Sequence, residues 1–280
     1  MMRIAGATFS FGPISLETSA TILRDLGFSW ADVGAGWSNY QQVLPEETLG
    51  DPSGQADRVC RVMDEHGLRI SELFVMQFEH AINHPTPGSR RTTLERFRGM
   101  TVFAQQAGFE SIMMIPGSVH EDLGQSAQGA FDTSVEVLRE MVRIAGDHAV
   151  QCNIEPCVGS VAHAPADALA LCAAVPDLGL TLDYAHQVQL GLGHEAIEPL
   201  HAHARHLHAK QSAPGAFQAR PDEGVIDFAR IMRKLQADDY DGVICVEFVT
   251  NPAVVEAGWN VEHETGKLKR MLEDGLAASG

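Results

Sequence analysis

Short apolar runs alternate with amphipathic stretches along nearly the whole chain. Runs at 3–10, 30–34, 68–76, 109–115, 150–154, 178–182, 205–209 and 242–246 have the length and near-continuous apolar character of strands buried on both faces. The segments 15–27, 53–66, 92–107, 127–149, 165–175, 195–200, 225–235 and 257–276 between and after them read as helices, as in the spacing of Leu94, Phe97, Met100, Phe103 and Ala104. Ser15 can cap the first helix, and Gly27 and Gly108 can end helices in the left-handed conformation. The stretches 35–51, 77–90 and 211–224, with their glycines and prolines, read as loops. Eight strand–helix pairs predict a closed (β/α)₈ barrel, an α/β TIM barrel forming a single domain over 1–280. An open doubly wound sheet is the competing fold, but no glycine-rich dinucleotide fingerprint follows the first strand.

Composition narrows the picture. The 280 residues suit one barrel of about 250 residues. Acidic residues number 37 against 20 basic ones, a net charge of −17, and such a surface repels phosphate backbones. Nucleic acid is therefore not expected as a partner. No run reaches the roughly 18 apolar residues of a membrane helix, so no membrane association is expected. Five cysteines, an odd number, and the lack of a signal-peptide pattern point to reduced thiols in a cytoplasmic protein.

The chemistry gathers at strand ends. Glu155 and Asp183 close the fifth and sixth runs, His208 lies in the seventh, and Glu247 follows the eighth. Parallel strands end on one rim, so the four should converge there. A lone carboxylate at a strand end is usually a helix cap or a solvated loop residue. Three carboxylates and an imidazole together would repel unless a cation holds them. Such an oxygen-rich set suits one divalent ion in octahedral geometry, Mn²⁺ first, with Mg²⁺, Co²⁺ or Zn²⁺ as alternatives, and leaves two positions for substrate oxygens. His186, three residues beyond Asp183, should reach the same centre as a substrate contact. His206 shares the face of His208 one layer deeper, where core packing is expected. His80, His84, His120 and His163 fall on rim loops, and the spacing assigns them no role.

The pattern Ile-Glu-Pro, Leu-Asp-Tyr-Ala-His, His-Leu-His-Ala-Lys and Val-Ile-Cys-Val-Glu resembles the xylose isomerase-like TIM-barrel superfamily, which includes ketose 3-epimerases, hydroxypyruvate isomerases, inosose dehydratases and endonuclease IV. The resemblance implies a metal-dependent sugar isomerase or epimerase working through a metal-stabilised enediolate. Glu155, Asp183, His208 and Glu247 would hold the metal, Glu155 and Glu247 would be the catalytic acid/base pair, and His186 would touch substrate. By the same analogy the substrate is a small sugar or keto-sugar and the protein a homo-oligomer. The sequence departs from the epimerase pattern at two points, and Gln211 follows His208-Ala-Lys where many relatives carry an aspartate. Val161 stands where epimerases carry a further glutamate. Pro214 stands where they carry an arginine, for which Arg220 could substitute in binding substrate. The alternative is a lyase of the same fold that eliminates a group β to a ketone. An endonuclease IV-like activity needs histidines at the ends of strands three and four, where Gln77 and Ile115 stand instead.

Overall fold

The computed structural model describes residues 2–76 and 80–279, so Gln77 lies outside the described residues. Strands β1 (Arg3–Ala7), β2 (Trp30–Ala35), β3 (Arg69–Val75), β4 (Ser111–Met114), β5 (Gln151–Ile154), β6 (Gly179–Asp183) and β7 (Ala204–Ala209) follow one another around a ring. The chain then leaves the ring as an antiparallel hairpin, β8 (Gln211–Ala213) and β9 (Ala216–Ala219), before β10 (Val243–Val246) closes the barrel between β7 and β1. All pairings within the ring are parallel. The expected (β/α)₈ barrel is the fold.

Local signals place the helices. Ser15 Oγ accepts the Thr18 N–H at the start of helix Leu16–Asp25, and Gly27 and Gly108 take positive φ after their helices. Several segments differ from the sequence expectation. The helix expected from 92 begins at Pro87, a first-turn proline whose missing N–H has no role there anyway. The loop 35–51 contains the helix Pro45–Gly50, again opened by a proline. The loop 211–224 holds the β8–β9 hairpin, whose turn uses Gly215 at φ +81°.

Apolar residues between the strands and the surrounding helices form the main core, and the closing helix Val261–Ser279 packs on β1, β10 and helix Phe228–Ala237. A second, smaller apolar cluster lies inside the barrel: Ala5, Ala7, Phe9, Phe74, Met113, Val243 and Cys245. The rest of the interior is polar. Thr181 pairs with His206 and Asp183 with His208 across β6 and β7, so each strand offers its inward residues in two layers. Between β2 and β3 the register slips: Ala31 pairs with Ile70 but Val33 with Leu73. This bulge sets Asp32 against both Ser71 and Glu72. Among the described residues no helix is long and apolar enough to cross a membrane.

Candidate metal centre

The barrel brings Glu155, Asp183, His208 and Glu247 to one place, all four buried. Backbone bonds fix the positions just past the strands: Glu155 N donates to Met114 O and Glu247 N to Ala209 O. Asp183 caps helix Tyr184–Val188 by accepting the Ala185 N–H at Oδ1, which leaves Oδ2 aimed at the centre. His208 Nδ1 lies 3.0 Å from Glu155 Oε1 and 3.4 Å from Glu247 Oε2. His186 Nε2 approaches Glu155 Oε2 at 3.6 Å and Asp183 Oδ2 at 3.9 Å, and its ring packs on Phe217. The ligand-type atoms therefore form two overlapping triplets, Glu155–Asp183–His186 and Glu155–His208–Glu247, joined at Glu155.

Between Asp183 and Glu247 stands an unexpected cation, Lys210. Its ammonium is 2.5 Å from Asp183 Oδ2, touches Glu247 Oε2, and lies 4.7 Å from the centre of the Phe217 ring. Asp183 Oδ2 has no hydrogen bond in spite of that contact, so the pair is held by charge with poor angular geometry. Arg220 is not brought to the cluster. It stacks on Trp259 and pairs with Glu223 and Glu264, the latter on the closing helix. Trp37 is half exposed, at 52%.

The electrostatics separate the two glutamates. Burial works against ionising Glu155, but His186 and His208 outweigh it and hold the carboxyl well below the usual range. Glu247 shifts the other way: burial, with the charges of Glu155 and Asp183, raises it in spite of Lys210 and His208. Burial also opposes the Lys210 ammonium, yet Asp183, Glu247 and Glu155 raise its pKa. The three carboxylates outnumber the Lys210 ammonium, and Glu247, Asp32 and Glu155 outweigh burial to raise the pKa of His208 well above its ordinary value, so the set draws any cation within reach.

Aromatic rings wall this centre. Phe9, Tyr40 and Phe74 pack on one another with centroids 4.9–5.2 Å apart, and Phe74 lies 5.9 Å from His208. Gly34 permits that packing, since a Cβ there would come within 3.0 Å of the Tyr40 backbone and 3.1 Å of Phe9. Beside β5, a cavity of about 180 Å³ is lined by Met114, Ile115, Cys157 and Ser160 among others. Cys157 is buried with its thiol pushed up to about 12 by burial and by Glu155, which keeps it an unreactive thiol.

Below this centre lies a second buried cluster. His206 Nε2 donates to Asp32 Oδ2 at 2.7 Å and is 3.9 Å from Glu72 Oε1. Glu72 also accepts hydrogen bonds from Ser111, Asn153 and Thr181. Burial alone would raise the Asp32 carboxyl, but His206 and His208 hold it well below its usual range. His206 is thus an ion-paired member of a charged network, in place of the core packing expected of it. Its own pKa is raised: Asp32 and Glu72 outweigh the burial that disfavours its cation.

A model of the xylose isomerase-like TIM barrel family matches residues 21–272. The chain belongs to that family. Solved structures of the same fold include a D-tagatose 3-epimerase-like protein, 20% identical with a TM-score of 0.81, covering 99% of this chain and 98% of that one. D-psicose 3-epimerase from Clostridium cellulolyticum H10 is 12% identical with a TM-score of 0.80, over 98% and 99% of the two chains. The apo form of 3-keto-D-glucoside 4-epimerase from E. coli is 15% identical with a TM-score of 0.71, over 96% of this chain and 100% of that one. In sequence, an uncharacterized protein of Methanocaldococcus jannaschii is 26% identical over 171 residues, 56% of this chain and 57% of that protein. The matched stretch thus spans little more than half the length of that relative.

Sequence reasoning within this family does not single out Lys210, Asp32 or Glu72. Lys210 lies two residues past His208 and so on the same side of the chain. Asp32 and Glu72 are lone carboxylates inside apolar strands, and a charge in a strand buried on both faces is itself a signal.

Proposed function

We propose that this protein is a divalent-cation-dependent enzyme that moves a proton on a small sugar or keto-sugar, as an isomerase or epimerase. The observation that carries this reading is the convergence of Glu155, Asp183, His208 and Glu247, buried together with a net negative charge. Those four would hold the cation, and their oxygen-rich composition favours Mn²⁺ over a closed structural zinc site. When bound, such a cation polarises a substrate carbonyl and acidifies the neighbouring C–H. Glu155 and Glu247 would then act as an acid/base pair, one accepting the proton from carbon and the other delivering a proton of its own to the opposite face. His186, packed on Phe217 at the edge of the centre, orients a substrate hydroxyl. Lys210, held at Asp183 and Glu247, supplies a positive contact for substrate oxygens that Pro214 cannot bring.

The relatives named as epimerases support the reaction class, and the described helices offer no membrane span. A second reading is β-elimination from a keto-sugar, favoured by Val161 and Pro214, which remove two polar groups of the ketose-epimerase pattern. The Mn²⁺-loaded protein, incubated in D₂O with D-tagatose, D-psicose and a 3-keto-glucoside, tests both. Deuterium in an isomerised product supports the first reading, and an eliminated unsaturated product the second. Exchange with none of them would sink the sugar assignment. His186→Ala should raise KM by about tenfold, the loss of one hydrogen bond, while Mn²⁺ affinity stays within twofold. An equal loss in both would make His186 a ligand.

A further inference from the structure

His208 is shared by the two buried clusters. Its Nδ1 faces Glu155 and Glu247, while its Nε2 faces downward, 3.5 Å from Asp32 Oδ2 and 3.8 Å from Glu72 Oε1. That Nε2 is buried and makes no hydrogen bond. Of the two carboxylates within reach, Glu72 already accepts from Ser111, Asn153 and Thr181. Asp32 is different. Its Oδ1 is fixed by Ser71 Oγ and the Glu72 N–H, while Oδ2 accepts from His206 and, among the described residues, has capacity for a second donor. The β2–β3 bulge builds this orientation, because it places two donors of β3 against one residue of β2.

We infer that Asp32 is a positioning residue for the cation site: Nδ1 of His208 donates to Glu155 in this structure, and when a cation takes that place Asp32 would accept the remaining Nε2–H and leave Nδ1 free to ligate. A neutral imidazole has one N–H, and a ligating nitrogen must be free of it. The group that accepts that proton therefore selects which nitrogen can ligate and fixes the ring plane. His206 keeps Asp32 anionic and in place from the opposite side. The inference rests on the proposed cation site and assigns to Asp32 a part that no strand-end residue supplies.

The test is Mn²⁺ affinity, measured by calorimetry on the metal-free protein. Asp32→Asn should weaken it about 10- to 100-fold and shift the visible bands of the Co²⁺-loaded form, with the circular dichroism spectrum unchanged. Since that variant strands the His206 cation, Asp32→Asn/His206→Gln replaces the ion pair by an amide pair and should show the same loss. Ser71→Ala, which leaves every charge in place but loosens Asp32, should weaken binding about fivefold, one hydrogen bond's worth. Mn²⁺ binding within twofold of the parent in any folded Asp32 variant overturns the inference and leaves the cation site standing. Uptake of two Mn²⁺ ions per parent chain, with the second lost in Asp32→Asn, also overturns it, because the lower cluster would then be a cation site in its own right. A parent that binds no Mn²⁺ defeats the proposed function itself.

Discussion

Two charge clusters lie one above the other inside the barrel, and they are finished differently. In the lower one each carboxylate oxygen of Asp32 and Glu72 has a donor, and most of the donors are neutral: Ser71, Ser111, Asn153, Thr181 and the Glu72 amide. In the upper one the central oxygens meet, among the described residues, titratable partners: Lys210, His208 and His186. Neutral donors satisfy a buried carboxylate permanently, because nothing that arrives later binds it better at lower desolvation cost. Charged donors balance the field only until a stronger cation comes. The lower cluster is thus the more fully hydrogen-bonded of the two, and the upper one has the open valences that the proposed function requires. Position along the barrel axis agrees, since the upper cluster lies at the strand C-termini where barrel chemistry is sited.

The widest separation between the clusters should come from Glu155→Gln and Glu247→Gln. Each keeps the volume and removes the charge, and each should lower turnover on an accepted sugar by about 10²–10⁴-fold, the range of a lost general acid or base. Thermal unfolding should move little, because each amide also lifts one negative charge from a cluster in which carboxylates outnumber the ammonium, and Lys210 keeps Asp183 as a partner. Near-normal turnover in the double variant would remove the glutamates from the chemistry and collapse the contrast.

Lys210→Met probes the same contrast through stability. In the metal-free protein the substitution leaves Asp183 and Glu247 facing each other without the ammonium, a loss of about 3–5 kcal/mol for breaking a buried ion pair. Excess Mn²⁺ should restore much of it, because binding to the folded form alone adds about 4 kcal/mol at a thousand times Kd. Urea unfolding with and without Mn²⁺ reads both quantities. If the two curves fall by the same amount, Lys210 is scaffolding like the residues beneath it.

How much of this was legible in the sequence follows from range. The barrel and the rim convergence of Glu155, Asp183, His208 and Glu247 rest on strand pattern and strand ends, which are local. Lys210 obeys the same alternation, but a lysine ordinarily extends to water, and here Phe217 on the β8–β9 hairpin meets its ammonium instead. The hairpin was hidden inside what reads as a polar loop, and the same excursion carries Arg220 to Trp259 and Glu264, away from the centre. Asp32 and Glu72 depend on a register slip between two strands, and no single-strand pattern encodes one. The proline-opened helices at Pro45 and Pro87 were readable in principle, since proline at a first helical position is a start signal.

The smallest effect expected is the most diagnostic of scaffolding. Thr181 Oγ1 reaches Glu72 Oε1 at 2.8 Å and Oε2 at 2.9 Å, from the strand that ends in Asp183. Thr181→Val conserves shape and removes that donor from a fully buried carboxylate, which should destabilise the fold by about 1–3 kcal/mol. Turnover should change less than threefold, because Ser111 and Asn153 still hold Glu72 and nothing above His208 loses a partner. Urea unfolding and a steady-state assay on the same preparation measure the two numbers together. A large fall in turnover with stability unchanged would mean that the lower cluster takes part in the chemistry, and the division between the two layers would have to be redrawn along His208.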